Sequence, residues 1–153
     1  MYSFSALMSN TCLISVIVAW LLAQIIKIFT GYFSESRFSM RKFFCGTGGM
    51  PSSHSATVMA LMTSAAIRYG FDSFALAISI LLATIVMSDA MGVRYETGKQ
   101  AKVINELVKE IFSGKATNIN QNLKTLIGHT PFQVLMGAAL GIAVGLAVGL
   151  IMR

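Results

Sequence analysis

Two histidines are present in the chain, and both stand beside residues suited to holding an anion. His54 closes the run Gly46-Thr-Gly-Gly49-Met-Pro-Ser52-Ser53-His54, in which glycines, a proline and two serines precede a helical pattern. Such an approach leaves backbone N–H groups free at a helix start, where the helix dipole also favours negative charge. His129 precedes another such start, Thr130-Pro131-Phe132-Gln133. Lys27 and Arg94 could add charge-assisted hydrogen bonds to phosphate oxygens. A histidine on each side of a phosphate pocket points to a nucleophile and a general acid for phosphoryl transfer.

These residues are far apart in sequence, so helices must gather them. The chain has 153 residues, 55% of them hydrophobic and 12% charged, with a mean hydropathy of +0.70. A soluble domain of this size could not bury that much apolar surface, whereas a bilayer can. Four segments approach the roughly 20 residues needed to cross hydrocarbon. They run from about Thr11 to Phe29, Ser52 to Tyr69, Asp72 to about Met91, and Pro131 to Met152. Ser55, Thr57, Thr63 and Ser64 make the second more polar, which fits a place inside the bundle. Gly70 and Phe71 alone separate it from the third, which predicts a tight hairpin.

A fifth, amphipathic pattern covers Lys99 to Phe112. Val103, Ile104, Leu107, Val108, Ile111 and Phe112 fall on one face, with Lys102, Glu106, Lys109 and Glu110 opposite. The pattern predicts a helix lying on the membrane surface. The expected architecture is all-α, a polytopic membrane bundle of about four transmembrane helices plus one amphipathic surface helix. It is read as one integral membrane domain over residues 1–153.

Charge orients the bundle. Arg37, Arg41 and Lys42 lie between the first two spans. Arg94, Lys99, Lys102, Lys109, Lys115 and Lys124 lie between the last two, and only Arg68 and Arg153 mark the other side. The positive-inside rule then puts both long loops in the cytoplasm and both termini outside. That reading makes a multi-pass protein of the cell (inner) membrane with its first apolar run retained rather than cleaved. His54, Arg94, His129 and Lys27 then share one depth at the cytoplasmic face.

The net charge of +6 is assigned to topology and anionic headgroups rather than to nucleic acid, because no basic aromatic surface accompanies it. Cys12 and Cys45 indicate neither a disulfide framework nor a thiolate site. Two histidines and an aspartate are too few to close a metal site, and no cofactor is expected. Gly137, Gly141, Gly145 and Gly149 form a small-residue face for close helix packing, within the bundle or in a homo-oligomer.

Pro51-Ser52-Ser53-His54 resembles the Pro-Ser-x-His motif of the type 2 phosphatidic acid phosphatase superfamily, which includes the vanadium haloperoxidases. His129-x-Pro131-x-Gln133-Val134-x-x-Gly137 resembles that superfamily's last motif, His-x-Pro-x-Asp-Val-x-x-Gly. With Ser88-Asp89-Ala-Met-Gly-Val-Arg94 and the residues after it, the chain is similar to the divergent membrane branch, from Gln24 to Gly141. The resemblance implies His129 as nucleophile, forming a phosphohistidine, and His54 as the acid that protonates the leaving alkoxide. It implies phosphate binding by Lys27, Arg94 and Ser53, with Ser52, Gly49 and nearby backbone assisting.

Two departures stand out. Arg94 is separated from His129 by the whole second loop, and the carboxylate expected to orient the nucleophile is Gln133. Asp89, an acid near the end of the third span, is the candidate to supply the missing charge. The leading function is hydrolysis of a lipid or isoprenoid phosphate whose tail stays among the membrane lipids. The alternatives are a catalytically silent relative that binds anionic lipid or acts as a scaffold, and a small transporter or channel subunit. The last lacks the half-helix repeats of that class.

Overall fold

In a computed structural model of the chain, residues 4–32, 50–112 and 129–152 are described. Their elements are α1 (Phe4–Met8), α2 (Thr11–Tyr32), α3 (Ser53–Tyr69), α4 (Phe74–Met91), α5 (Val93–Phe112) and α6 (Pro131–Ile151). Among the described residues there is no strand.

The helices start where polar side chains can replace missing backbone partners. Asn10 Oδ1 accepts from the amide of Leu13 at the head of α2. Ser52 and Ser73 cap α3 and α4 through the amides of Ser55 and Leu76. At α6 the cap is reciprocal. Thr130 accepts from the Gln133 amide, Gln133 accepts from the Thr130 amide, and Pro131 follows as first helical residue. Between α3 and α4, Gly70 adopts φ +88° and makes the expected hairpin.

Helix α3 is the centre of the bundle and packs against α2, α4 and α6. The core is made of small residues, with Ala19, Ala23, Ala56, Ala60 and Val144 buried together. Larger residues face outwards, among them Ile17, Leu21, Ile25, Leu81, Ile85, Leu146 and Leu150. Small inside and large aliphatic outside is the arrangement expected where lipid covers the surface and close approach holds the helices. Buried hydroxyls bond back to their own helices, as Ser15 does to Thr11 O, Ser64 to Ala60 O and Ser79 to Ala75 O. Polar atoms are thereby satisfied without water, as a bilayer requires.

The glycine face of α6 lies against α3. A Cβ at Gly137 would overlap the Ser52 carbonyl, and one at Gly141 the Ala56 carbonyl. At Gly145 it would stand 2.7 Å from Thr63 Cβ, and at Gly149 2.8 Å from Ile67 Cδ1. Residue numbers rise together along both helices, so α3 and α6 run parallel and begin at the same end. This face is used within one chain, so a homo-oligomer would have to form through another surface.

Among the described residues, three helical stretches, beginning at Thr11, Phe74 and Pro131, are long and apolar enough to cross a membrane. The fourth expected crossing, α3, has 17 residues. At 1.5 Å per residue it spans roughly 25 Å, and its more polar surface is sheltered by its neighbours. Two further differences from expectation appear. The short α1 was not anticipated, and α5 begins at Val93, directly after Gly92, rather than at Lys99. Its apolar residues Val103, Ile104 and Leu107 remain exposed, consistent with an amphipathic helix that the bundle does not cover.

Candidate functional site

The parallel packing of α3 and α6 brings two helix N-termini side by side. The amide of Ser52 donates to Gln133 O at 3.0 Å, joining the two starts directly. The amide of His129 donates to Ala90 O at 3.2 Å, which ties the same corner to the end of α4. Neither α3 nor α6 has an acidic residue in its first turn, so both positive dipole ends remain uncompensated there by their own side chains.

Into this corner come both histidines. Their ring centroids are 6.2 Å apart, with the planes inclined by 59°. His129 is buried, with 5% of its surface exposed, whereas His54 is exposed.

Gln133 fixes the chemistry of His129. Its Oε1 accepts from the Thr130 amide at 3.1 Å, so that atom is necessarily the carbonyl oxygen rather than the amide nitrogen. The same oxygen stands 3.2 Å from His129 Nδ1. A carbonyl can only accept, so Nδ1 carries the proton, and in the neutral imidazole the lone pair lies on Nε2. The glutamine therefore selects the tautomer that a carboxylate would select, without its negative charge.

Lys27 reaches the site from α2. Its Nζ donates to Ser53 Oγ at 3.1 Å. An ammonium has no lone pair, so Ser53 must accept from it, and the serine's own proton remains available to a further acceptor. Lys27 is half-buried, and among the described residues no carboxylate pairs with it. A cation partly withdrawn from water without a counter-ion favours an anion beside it.

The remaining expected residues divide three ways. Ser52 is wholly buried, its Oγ accepts from both the amide and the hydroxyl of Ser55, and its amide is engaged by Gln133 O. Its amide helps to hold α3 and α6 together and its oxygen is engaged within α3, which leaves only its hydroxyl proton to offer a phosphate, a narrower part than the expected ligand role. Asp89 is half-buried in the last turn of α4, one residue before the carbonyl that receives the His129 amide. Arg94 lies in the first turn of α5, close in chain to that carbonyl; its side chain and the whole of Gly49 are outside the described residues.

One participant was missed in the sequence. Thr30 Oγ1, one turn after Lys27, contacts Met50 O at 3.0 Å and so reaches the segment leading into α3. Its spacing from Lys27 places both on one face of α2, which was the signal available. Among the described residues no group of three His, Cys, Asp or Glu side chains could hold a metal ion.

A bundle with histidines, a lysine and two helix starts converging at one end is the frame of a phosphatase-related membrane protein. The chain belongs to the Divergent PAP2 family, whose profile matches residues 8–144. It is also 41% identical over 141 residues to a Bacillus subtilis (strain 168) protein described as "Uncharacterized membrane protein YuiD", covering 86% of this chain and 89% of that one. No solved structure matches.

Proposed function

We propose that this membrane protein hydrolyses a lipid or isoprenoid phosphate through a phosphohistidine on His129. The observation that carries the reading is the His54–His129 pair, 6.2 Å between ring centroids, with Nδ1 of His129 engaged by Gln133. That spacing can accommodate one phosphorus between two ring nitrogens. His129 Nε2 attacks phosphorus while the ester P–O bond breaks, and His54 gives its proton to the departing alkoxide. Water then attacks the phosphohistidine, His54 takes a proton from it, and the N–P bond breaks to release inorganic phosphate. Lys27, Ser53 and the two helix starts hold the phosphoryl oxygens, with Arg94 as a further cation. Asp89 contributes negative charge near His129.

The substrate's tail remains in lipid, in keeping with apolar side chains on the outer faces of α2, α4 and α6. The loop charges favour a multi-pass topology in the cell membrane with the site cytoplasmic and both termini outside. The test is phosphate release by the purified protein from a panel of lipid phosphates, with His129→Ala as control. Acid-labile, base-stable labelling of the wild type by a radioactive phosphate ester, absent from His129→Ala, would identify the intermediate.

Gln133 favours a second reading, a catalytically silent member that binds anionic lipid. A glutamine cannot stabilise the imidazolium character that develops during attack. Folded protein that binds anionic vesicles yet releases no phosphate from any substrate would establish it.

A further inference from the structure

The segment entering α3 is held from both sides. Pro51 has no N–H to donate, so this stretch depends on its neighbours' groups. On one side the Ser52 amide donates to Gln133 O of α6. On the other, the hydroxyl of Thr30 on α2 lies 3.0 Å from Met50 O and 3.2 Å from its own helix's Lys27 O. Threonines within helices usually satisfy the hydroxyl on a carbonyl three or four residues back. Thr57, Thr63 and Thr84 do so through Ser53 and His54, Met59 and Ile80. Thr30 instead shares its proton with a carbonyl from another segment, and that contact is the shorter one.

One turn of α2 thus grips the approach to α3 at two points, Lys27 on Ser53 Oγ and Thr30 on Met50 O. Between those points lies the segment that sets where Ser53 and His54 stand. We infer that Thr30 is a positioning residue for the phosphate site: its hydroxyl, through Met50 O, sets the first turn of α3 against Lys27. Thr30 touches no reacting atom. It acts by alignment, on which in-line transfer depends steeply. The turnover part of this inference rests on the phosphatase reading, and its local part does not.

The experiment compares wild type, Thr30→Val and Thr30→Ser. Three quantities are measured: kcat on a lipid phosphate, inhibition by orthovanadate, and amide hydrogen exchange over residues 50–56. Valine keeps the shape and removes the hydroxyl, whereas serine keeps the hydroxyl. Thr30→Val should lower kcat and weaken vanadate inhibition, each about five- to tenfold, the scale of one lost neutral hydrogen bond. Exchange over 50–56 should quicken while the thermal midpoint of the whole protein stays close to wild type. Thr30→Ser should restore all three readings. Wild-type kinetics and exchange in Thr30→Val overturn the inference, and so does an equal loss in both variants. Should wild type itself release no phosphate, the proposed function falls, and exchange alone decides whether Thr30 positions the segment. Thr30→Ala replaces Thr30→Val if the latter does not fold.

Discussion

Gln133 Oε1 stands 3.2 Å from His129 Nδ1, and the residue that holds the imidazole also closes the reciprocal cap at the head of α6. Orientation of the imidazole and helix initiation therefore share one oxygen. Glutamate serves equally well at this position of a capping box, so the effect of charge can be measured without dismantling the helix. Gln133→Glu should raise the plateau of kcat/KM and move its acidic limb to higher pH. An anion beside Nδ1 favours imidazolium, so neutral nucleophile persists over a narrower range on the acid side. A pH–rate profile superimposable on wild type would exclude electrostatic control from this position. Gln133→Leu, which removes the acceptor, should cost about 10²-fold or more.

The two histidines should separate by leaving group. His129→Ala should abolish turnover of every ester. His54→Ala should lose about 10²–10⁴-fold on an alkyl phosphate but far less on a nitrophenyl phosphate, whose leaving group needs no proton. Equal losses on both substrates would remove His54 from the acid's role.

Asp89 is tested by pairing. Asp89→Asn should lower turnover sharply, within the same 10²–10⁴-fold range, and Gln133→Glu combined with it should recover part of the loss. If Asp89→Asn is silent, the aspartate serves only the helix end.

The glycines of α6 make a graded stability series. Gly141→Ala places a methyl on the Ala56 carbonyl, a backbone atom that cannot yield, whereas Gly149→Ala meets the tip of Ile67. The first should lower the thermal midpoint in detergent by an amount equivalent to about 1–3 kcal/mol. The second should change it little. Similar midpoints for the two would mean that α3 and α6 pack less closely than described.

Much of this was legible in the sequence because bilayer spans and helix caps are local signals. The start of α3 is legible to within a residue, and that of α6 at Pro131 itself, because a proline and small polar residues stand where each helical run begins. The beginning of α5 has a weaker signal, because Arg94, Glu96 and Lys99 interrupt the apolar periodicity. A serine beside a histidine gives no sign of whether its hydroxyl faces a ligand or its own helix, and only the packing shows that the Ser52 oxygen and amide serve the start of α3 and its joint with α6. The Thr130-x-x-Gln133 cap could have been read directly, and with it the tautomer of His129. The Thr30–Met50 contact has no periodicity and emerges only when α2 and α3 are seen together.

Side-of-membrane labelling addresses the topology. In a background lacking Cys12 and Cys45, Phe71→Cys in the α3–α4 turn should react with an impermeant thiol reagent in intact cells. Gln100→Cys on α5 should react only after the membrane is opened. The reverse pattern would put the site outside.

Contacts between α3 and α6 recur every four residues, which carries a cost in uniqueness. Sliding one helix along the other by a single repeat, about 6 Å, would bring another glycine under the next small residue and regenerate much of the same packing. The apolar interface is thus nearly degenerate, like a ruler with identical marks. What breaks the degeneracy is polar and sits at one end: Ser52 N to Gln133 O, and His129 N to Ala90 O. These bonds form in one alignment only. The hydrogen bonds that assemble the histidine site are therefore also what selects the native alignment of the bundle, and a chain that has found its fold has already built its site.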